Sequence, residues 1–300
     1  MIWSFFPCRV TGQDPRADSV MNDSITIDKG RLIGVLCVQG TLYFASFGGL
    51  YIAWYKNYPQ STFHFFNDNP EWLQLDKFGH LTSSYYLSRL AYSSYRWSGM
   101  DRKKSIWLGG ALGFAYMLNI EILDGFSSGW GFSPGDLTAN TLGCALFIGQ
   151  QLGWDEQRFN MKYSYHPTDY PDSNPNLLGN NLIQKMLKDY NGMTFWLSGN
   201  ISSFLPEKSK FPRWINVAIG YGAEGMTGAL NNIPTADGSP DGQPERYRKF
   251  FLSVDVDLTR IRTRSKFLKG LFTVFSFVKI PAPALEINTL GEVKFHALYF

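Results

Sequence analysis

SIWLGGALGFAYMLNIEILDGFSSGWGFSPGDLTANTLGCALFIGQQL, residues 105–152, contains no Lys or Arg, and its only charges are Glu121, Asp124 and Asp136. The stretch divides into an apolar helix near 105–124, a glycine-rich turn at 125–131 and a second apolar helix near 134–153. Ser133-Pro134-Gly135-Asp136 fits a capping box, with serine as cap, proline in the first turn and the acid three residues on. Each helix is short for a full membrane span, which suits half-spanning or tilted packing.

Upstream, residues 32–55 form a run of 24 residues without a charge, bounded by Lys29, Arg31 and Lys56. That is long enough to cross a bilayer core, and its glycines at 34, 40, 48 and 49 suit close helix packing. Asn69 as cap and Pro70 in the first turn predict a further helix reaching Trp97. Its many serines and tyrosines fit an interfacial or bundle-buried position.

After Asp155 the texture changes. Residues 156–180 are rich in proline, asparagine and tyrosine and suggest a connector. Strand-like runs follow at 194–198, at 214–221 and at 251–258. In the last, Leu252, Val254, Val256 and Leu258 oppose Ser253, Asp255 and Asp257, a period of two with one wet face. Residues 265–278 suggest an amphipathic helix, and 294–300 a final strand. The terminal phenylalanine resembles the closing strand of outer-membrane barrels, an alternative that the few visible strands place second to an open β-rich region. The expected class is α+β: a membrane-associated helical bundle over 29–155, a linker over 156–180 and a β-rich region over 181–300.

The hydrophobic content of 44% and aromatic content of 16% supply a sizeable core. Residues 1–156 hold 11 Lys/Arg against 13 Asp/Glu, and 157–300 hold 17 against 12. Neither half is basic enough for nucleic acid. Cys8, Cys37 and Cys144 are odd in number and far apart, which excludes a disulfide framework or a zinc spacing. Residues 1–28 suggest the remnant of a signal peptide and a flexible start. Cys8 lacks the small preceding residues of a lipidation site. A nucleophile elbow, a P-loop and a dinucleotide fingerprint are absent.

The polar groups inside the helices carry the functional reading. Asp76 and His80 lie four apart on one helix face, with Lys77 beside them. Glu121 and Asp124 share a face near the end of an apolar helix, where a lone carboxylate costs roughly 2.5–3.5 kcal/mol to insert. Capping alone explains Asp136, but Asn140 continues the same face one turn later, where no cap is needed. An antiparallel bundle can bring these groups together. A His with several carboxylates can bind a divalent cation, or it can pair a general base with a buried acid. The spacing does not choose, and it specifies no cofactor. His64, His166 and His296 fit structural or solvated places, and Arg246, Arg248 and residues 260–264 suggest a basic cluster for phosphate headgroups or a solvated face.

Asp76-Lys77-Phe78-Gly79-His80, Glu121 with Asp124, residues 128–136, and Asn140 to Gly143 together resemble the YfiM-like family of predicted periplasmic lipoproteins. The same order is more distantly similar to VanZ-like membrane proteins, whose pattern runs Asp-Lys-x-x-His, a Glu, then Asp-x-x-x-Asn-x-x-Gly. The C-terminal half is similar to the longer form of the family found in Bacteroidota-type envelopes. The resemblance implies a membrane-associated location on the periplasmic side of the bacterial envelope, with membrane lipid and other envelope proteins as partners, and no established activity. Two functions follow as expectations. One is an enzyme acting on a lipid or lipid-linked substrate through His80, Glu121, Asp136 and Asn140. The other is a structural or assembly component held by a buried polar network.

Overall fold

The computed structural model describes residues 27–53, 55–233 and 243–300. The signal-peptide reading and Cys8 lie outside them. Helices α1 (Lys29–Ala53), α2 (Leu75–Trp97), α3 (Arg102–Gly125) and α4 (Pro134–Trp154) come first. Strand β1 (Phe159–Tyr165), short helices α5 (Tyr170–Ser173), α6 (Pro175–Leu178) and α7 (Leu182–Lys188), and strands β2 (Met193–Asn200), β3 (Ile215–Glu224) and β4 (Tyr247–Val256) follow. Helix α8 (Lys266–Val274) and strands β5 (Ala282–Asn288) and β6 (Val293–Tyr299) end the chain. The class is α+β. Two compact units form, a helical one of the described residues up to 67 with 80–158 and 258–276, and a strand unit of 68–79, 159–257 and 277–300.

In the helical unit, Asp101 caps α3 by accepting from the Lys104 amide at 3.0 Å, and Ser133 caps α4 by accepting from the Asp136 amide at 3.0 Å. Helices α1 and α3 are each long and apolar enough to cross a membrane. The glycines of α1 do not serve the expected packing: a side chain at 34, 40, 48 or 49 would meet nothing. Close approach belongs instead to α3 and α4. A Cβ on Gly113 would lie 2.9 Å from the Ser84 carbonyl, and one on Gly143 would overlap the Leu81 carbonyl. Small residues let helix backbones touch in this way, and Ser84 and Ser88 of α2 are fully buried between them. Gly143→Val is therefore expected to destabilise the helical unit by about 1–3 kcal/mol or more through overpacking, seen as a lowered thermal unfolding midpoint in detergent.

The helix expected from Asn69 starts later. Residues 71–74 form a 3-10 turn, and Trp72, Leu73 and Gln74 take positive φ values of 49°, 49° and 66°. The Trp72 amide is drawn aside to the Ala229 carbonyl at 2.9 Å, and Trp72 itself is buried among Leu178, Met193 and Phe195. Local capping chemistry yields to that anchoring. Within 156–180, the suggested connector, the structure forms β1, α5 and α6.

The six strands make one antiparallel sheet in sequence order, β1 to β6. One face carries Trp196, Ala218, Phe251, Ala284 and Tyr299 as a buried cluster. The same face buries Lys162 of β1 against Asp255 of β4 at 2.7 Å, and Thr194 of β2 bonds Tyr299 of β6 at 3.0 Å. Contacts that skip strands require a sheet curled onto this face. A short bridge between Tyr163 and Val278 partly covers the outer edge of β1. The opposite face over β1 and β2 is covered by Trp72, Leu75, Leu178 and Met226.

The alternation of β4 is present, but its faces are reversed. Ser253, Asp255 and Asp257, expected to be wet, are buried, whereas Leu252 and Val254 are 52% and 51% exposed. The curl encloses the polar face, so the apolar one points outward.

Candidate functional site

Three helices of the helical unit bring four of the expected side chains together. His80 projects from α2, one turn before Ser84. Glu121 stands one turn before the end of α3, and Asp136 and Asn140 occupy the first two turns of α4. His80 Nδ1 lies 3.2 Å from Glu121 Oε1 and 3.3 Å from Asn140 Oδ1. His80 Nε2 is 4.0 Å from Asp136 Oδ1, too far for a direct hydrogen bond. The Ser133 amide donates to Glu121 Oε2 at 3.3 Å, so the residue that caps α4 also orients the α3 carboxylate.

Glu121 and Asn140 are fully buried and Asp136 is 4% exposed, while the His80 side chain keeps 14% exposure. Buried polar groups normally find partners. The Asn140 Nδ2 amide is buried and has no hydrogen-bond acceptor among the described residues. One imidazole faces two carboxyl groups, and these nitrogen and oxygen donors suit a divalent cation of the borderline to hard class. The same arrangement lets one carboxylate orient an imidazole that moves protons.

The turn joining α3 to α4 is held by residues 60–66. The His64 amide donates to the Gly125 carbonyl at 2.9 Å, and Phe132 and Phe66 exchange backbone bonds with His64 and Phe132 at 2.9 and 3.0 Å. Phe63, Phe65, Phe126 and Phe132 pack ring on ring over it. This support places Ser133, and nothing in the spacing of Phe63-His64-Phe65-Phe66 announces it.

The remaining candidates have partners of their own. Asp124 accepts from the Tyr55 hydroxyl at 2.6 Å. Asp76 lies one helical turn before His80 but belongs to the strand unit, where it accepts from the Tyr190 hydroxyl at 2.6 Å. Lys77 pairs with Asp68 at 2.7 Å in the same unit. His64 Nδ1 rests on the Thr62 carbonyl at 3.1 Å. His296 meets Glu286 at 2.7 Å. His166 is edge-on to Tyr299, and burial pushes its pKa down to about 4, so it stays neutral. Several of the arginines have partners of their own: Arg246 donates to the Gly228 and Ala229 carbonyls, Arg248 to Tyr221 and Gln74, and Arg260 to Glu156.

Residues 64–149 match the model of a family described as predicted periplasmic lipoprotein (DUF2279). The matched segment contains His80, Glu121, Asp136 and Asn140, and it ends before the strands begin. The description is one of bacterial envelope proteins held at a membrane, in agreement with the location expected from the sequence. No curated protein and no solved structure matches the chain.

Proposed function

We propose that the chain is a membrane-associated protein of the bacterial envelope whose helical unit acts on a lipid or lipid-linked substrate through His80, Glu121, Asp136 and Asn140. The observation that carries this reading is the incomplete satisfaction of a buried cluster. A network built only to hold helices together pairs all its members, since a half-satisfied one is worse than an apolar core. Here the Asn140 amide is buried with no acceptor among the described residues, and His80 faces a carboxylate through each ring nitrogen. In this reading Glu121 fixes the ring through Nδ1, and Nε2 with Asp136 handles the proton or the cation. Asn140 then donates to the substrate. The similarity to VanZ-like membrane proteins, with the Asp-x-x-x-Asn spacing of Asp136 and Asn140, supports the assignment of these positions.

The test incubates purified protein with a total envelope lipid extract and follows lipid species by mass spectrometry. Wild type is expected to convert at least one species. His80→Ala and Asp136→Asn are expected to lose about 100-fold or more of that rate, the usual share of acid–base groups, with Asp136→Asn keeping the folded yield of wild type. Loss on dialysis against a chelator, restored by a divalent cation, assigns the metal form of the mechanism. A lipid profile unaltered by wild type overturns the proposal.

One observation favours a second reading, an assembly component. The cluster is nearly sealed, with only His80 reaching solvent appreciably. On that reading the same variants lose folded yield and no lipid species changes.

A further inference from the structure

The strand unit presents charge inside and apolar side chains outside, over a wide and regular area. Ile219, Leu252, Leu285 and Phe295 are cross-strand neighbours in one row on the outward face of β3 to β6, and all four are exposed. The row beside it is likewise apolar and exposed, from Phe250 through Ile287 to Val293. Their sequence neighbours on the inward face include Lys249, Asp255 and Glu286, each buried. From Phe250 to Val254 the face extends about 13 Å along the strands, and four strands set it about 14 Å wide, from the usual rise and spacing.

A sheet in water buries its apolar face, because apolar area removed from water is the main driving force of folding. An apolar exterior around a polar interior is what a hydrocarbon surrounding selects. We infer that the outward face of β3 to β6 lies against the acyl chains of a membrane leaflet, so that the strand unit is itself a lipid-binding surface. The occupant is lipid rather than protein because the exposed side chains of these rows, Phe250, Leu252, Leu285, Ile287, Val293 and Phe295, carry no polar atom to fix a protein partner in register. A bilayer is also within reach, since α1 of the same chain is long and apolar enough to cross one. The free edge of β6 requires a face-down arrangement, with the unpaired backbone kept at headgroup level where water satisfies it. The inference does not depend on the His80 cluster.

Single cysteines placed at Leu252→Cys and Ile287→Cys test it, in the full chain with Cys8, Cys37 and Cys144 replaced by serine. Each is labelled with an environment-sensitive fluorophore in phosphatidylcholine–phosphatidylglycerol vesicles, with and without lipids carrying a nitroxide on the acyl chain. Both positions are side chains exposed in the fold, so the label displaces no packing. The expected result is blue-shifted emission at both positions and strong quenching by the acyl nitroxide, with neither effect at a label on Ser209→Cys in the exposed 205–211 loop. Emission at Leu252→Cys and Ile287→Cys that equals the Ser209→Cys control overturns the inference. So does a blue shift without nitroxide quenching that fades as protein is diluted among vesicles, which marks a second copy as the occupant. A Leu252→Trp variant with brominated lipids gives an independent reading free of the cysteine background.

Discussion

Asp255→Ala is expected to unfold the strand unit at temperatures where wild type is folded. Asp255 is buried inside the curled sheet, 2.7 Å from Lys162 and 4.0 Å from Lys279, and it accepts from the Ser198 hydroxyl at 2.6 Å. Both lysines are buried. Their other contacts are backbone carbonyls and, for Lys279, the face of Trp196 at 4.9 Å. Removing the carboxylate leaves two cations without a counter-charge in a dry interior, a change that costs about 3–5 kcal/mol. That is a large part of the ~5–15 kcal/mol by which whole domains are stable. Limited proteolysis in the strand unit reads the loss directly. Adding Lys162→Met to Asp255→Ala is expected to recover part of it, because one orphaned charge is replaced by an apolar chain of similar length. A single variant as resistant as wild type shows that the pair contributes little.

The alternation that made β4 legible in the sequence is the same alternation that hid this ion pair. Period two fixes which residues share a face, but it does not say which face meets water. Ser253, Asp255 and Asp257 belong together, and only the curl of six strands decides that they point inward. Long-range pairing such as Lys162 with Asp255 has no local signature. Helices fared better, since Ser133-Pro134 and the charge-free runs are local signals, and α3 and α4 begin and end within a few residues of the expectation. Trp72 shows the limit of such signals: Asn69 and Pro70 announce a helix, and a tertiary anchor at Ala229 delays it to Leu75. At the site, helical spacing grouped Asp136 with Asn140, and both stand in the first two turns of α4. It also grouped Glu121 with Asp124, although Tyr55 takes the latter away. A partner 69 residues distant lies beyond the reach of any spacing argument.

His80→Ala and Glu121→Gln are expected to move stability in opposite directions, and the sign separates the two readings of the helical unit. His80→Ala removes the imidazole that faces both carboxylates and leaves Glu121 and Asp136 buried near each other. Buried polar groups left without their partner make this a loss of about 1–3 kcal/mol, read as a lowered thermal midpoint in detergent. Glu121→Gln keeps the shape and keeps an oxygen to accept from the Ser133 amide. It removes one of two neighbouring buried carboxyl groups, while His80 still faces Asp136. A site that keeps a buried acid for chemistry gains stability when that acid is replaced, as strained functional sites do. Glu121→Gln is therefore expected to melt at or above the wild-type midpoint while losing lipid conversion. In a network built only for helix packing, the Glu121 to His80 contact is part of what holds α2 to α3, and the same variant melts lower with no function to lose. A midpoint below wild type, with abundance reduced in the membrane fraction, assigns the cluster to assembly.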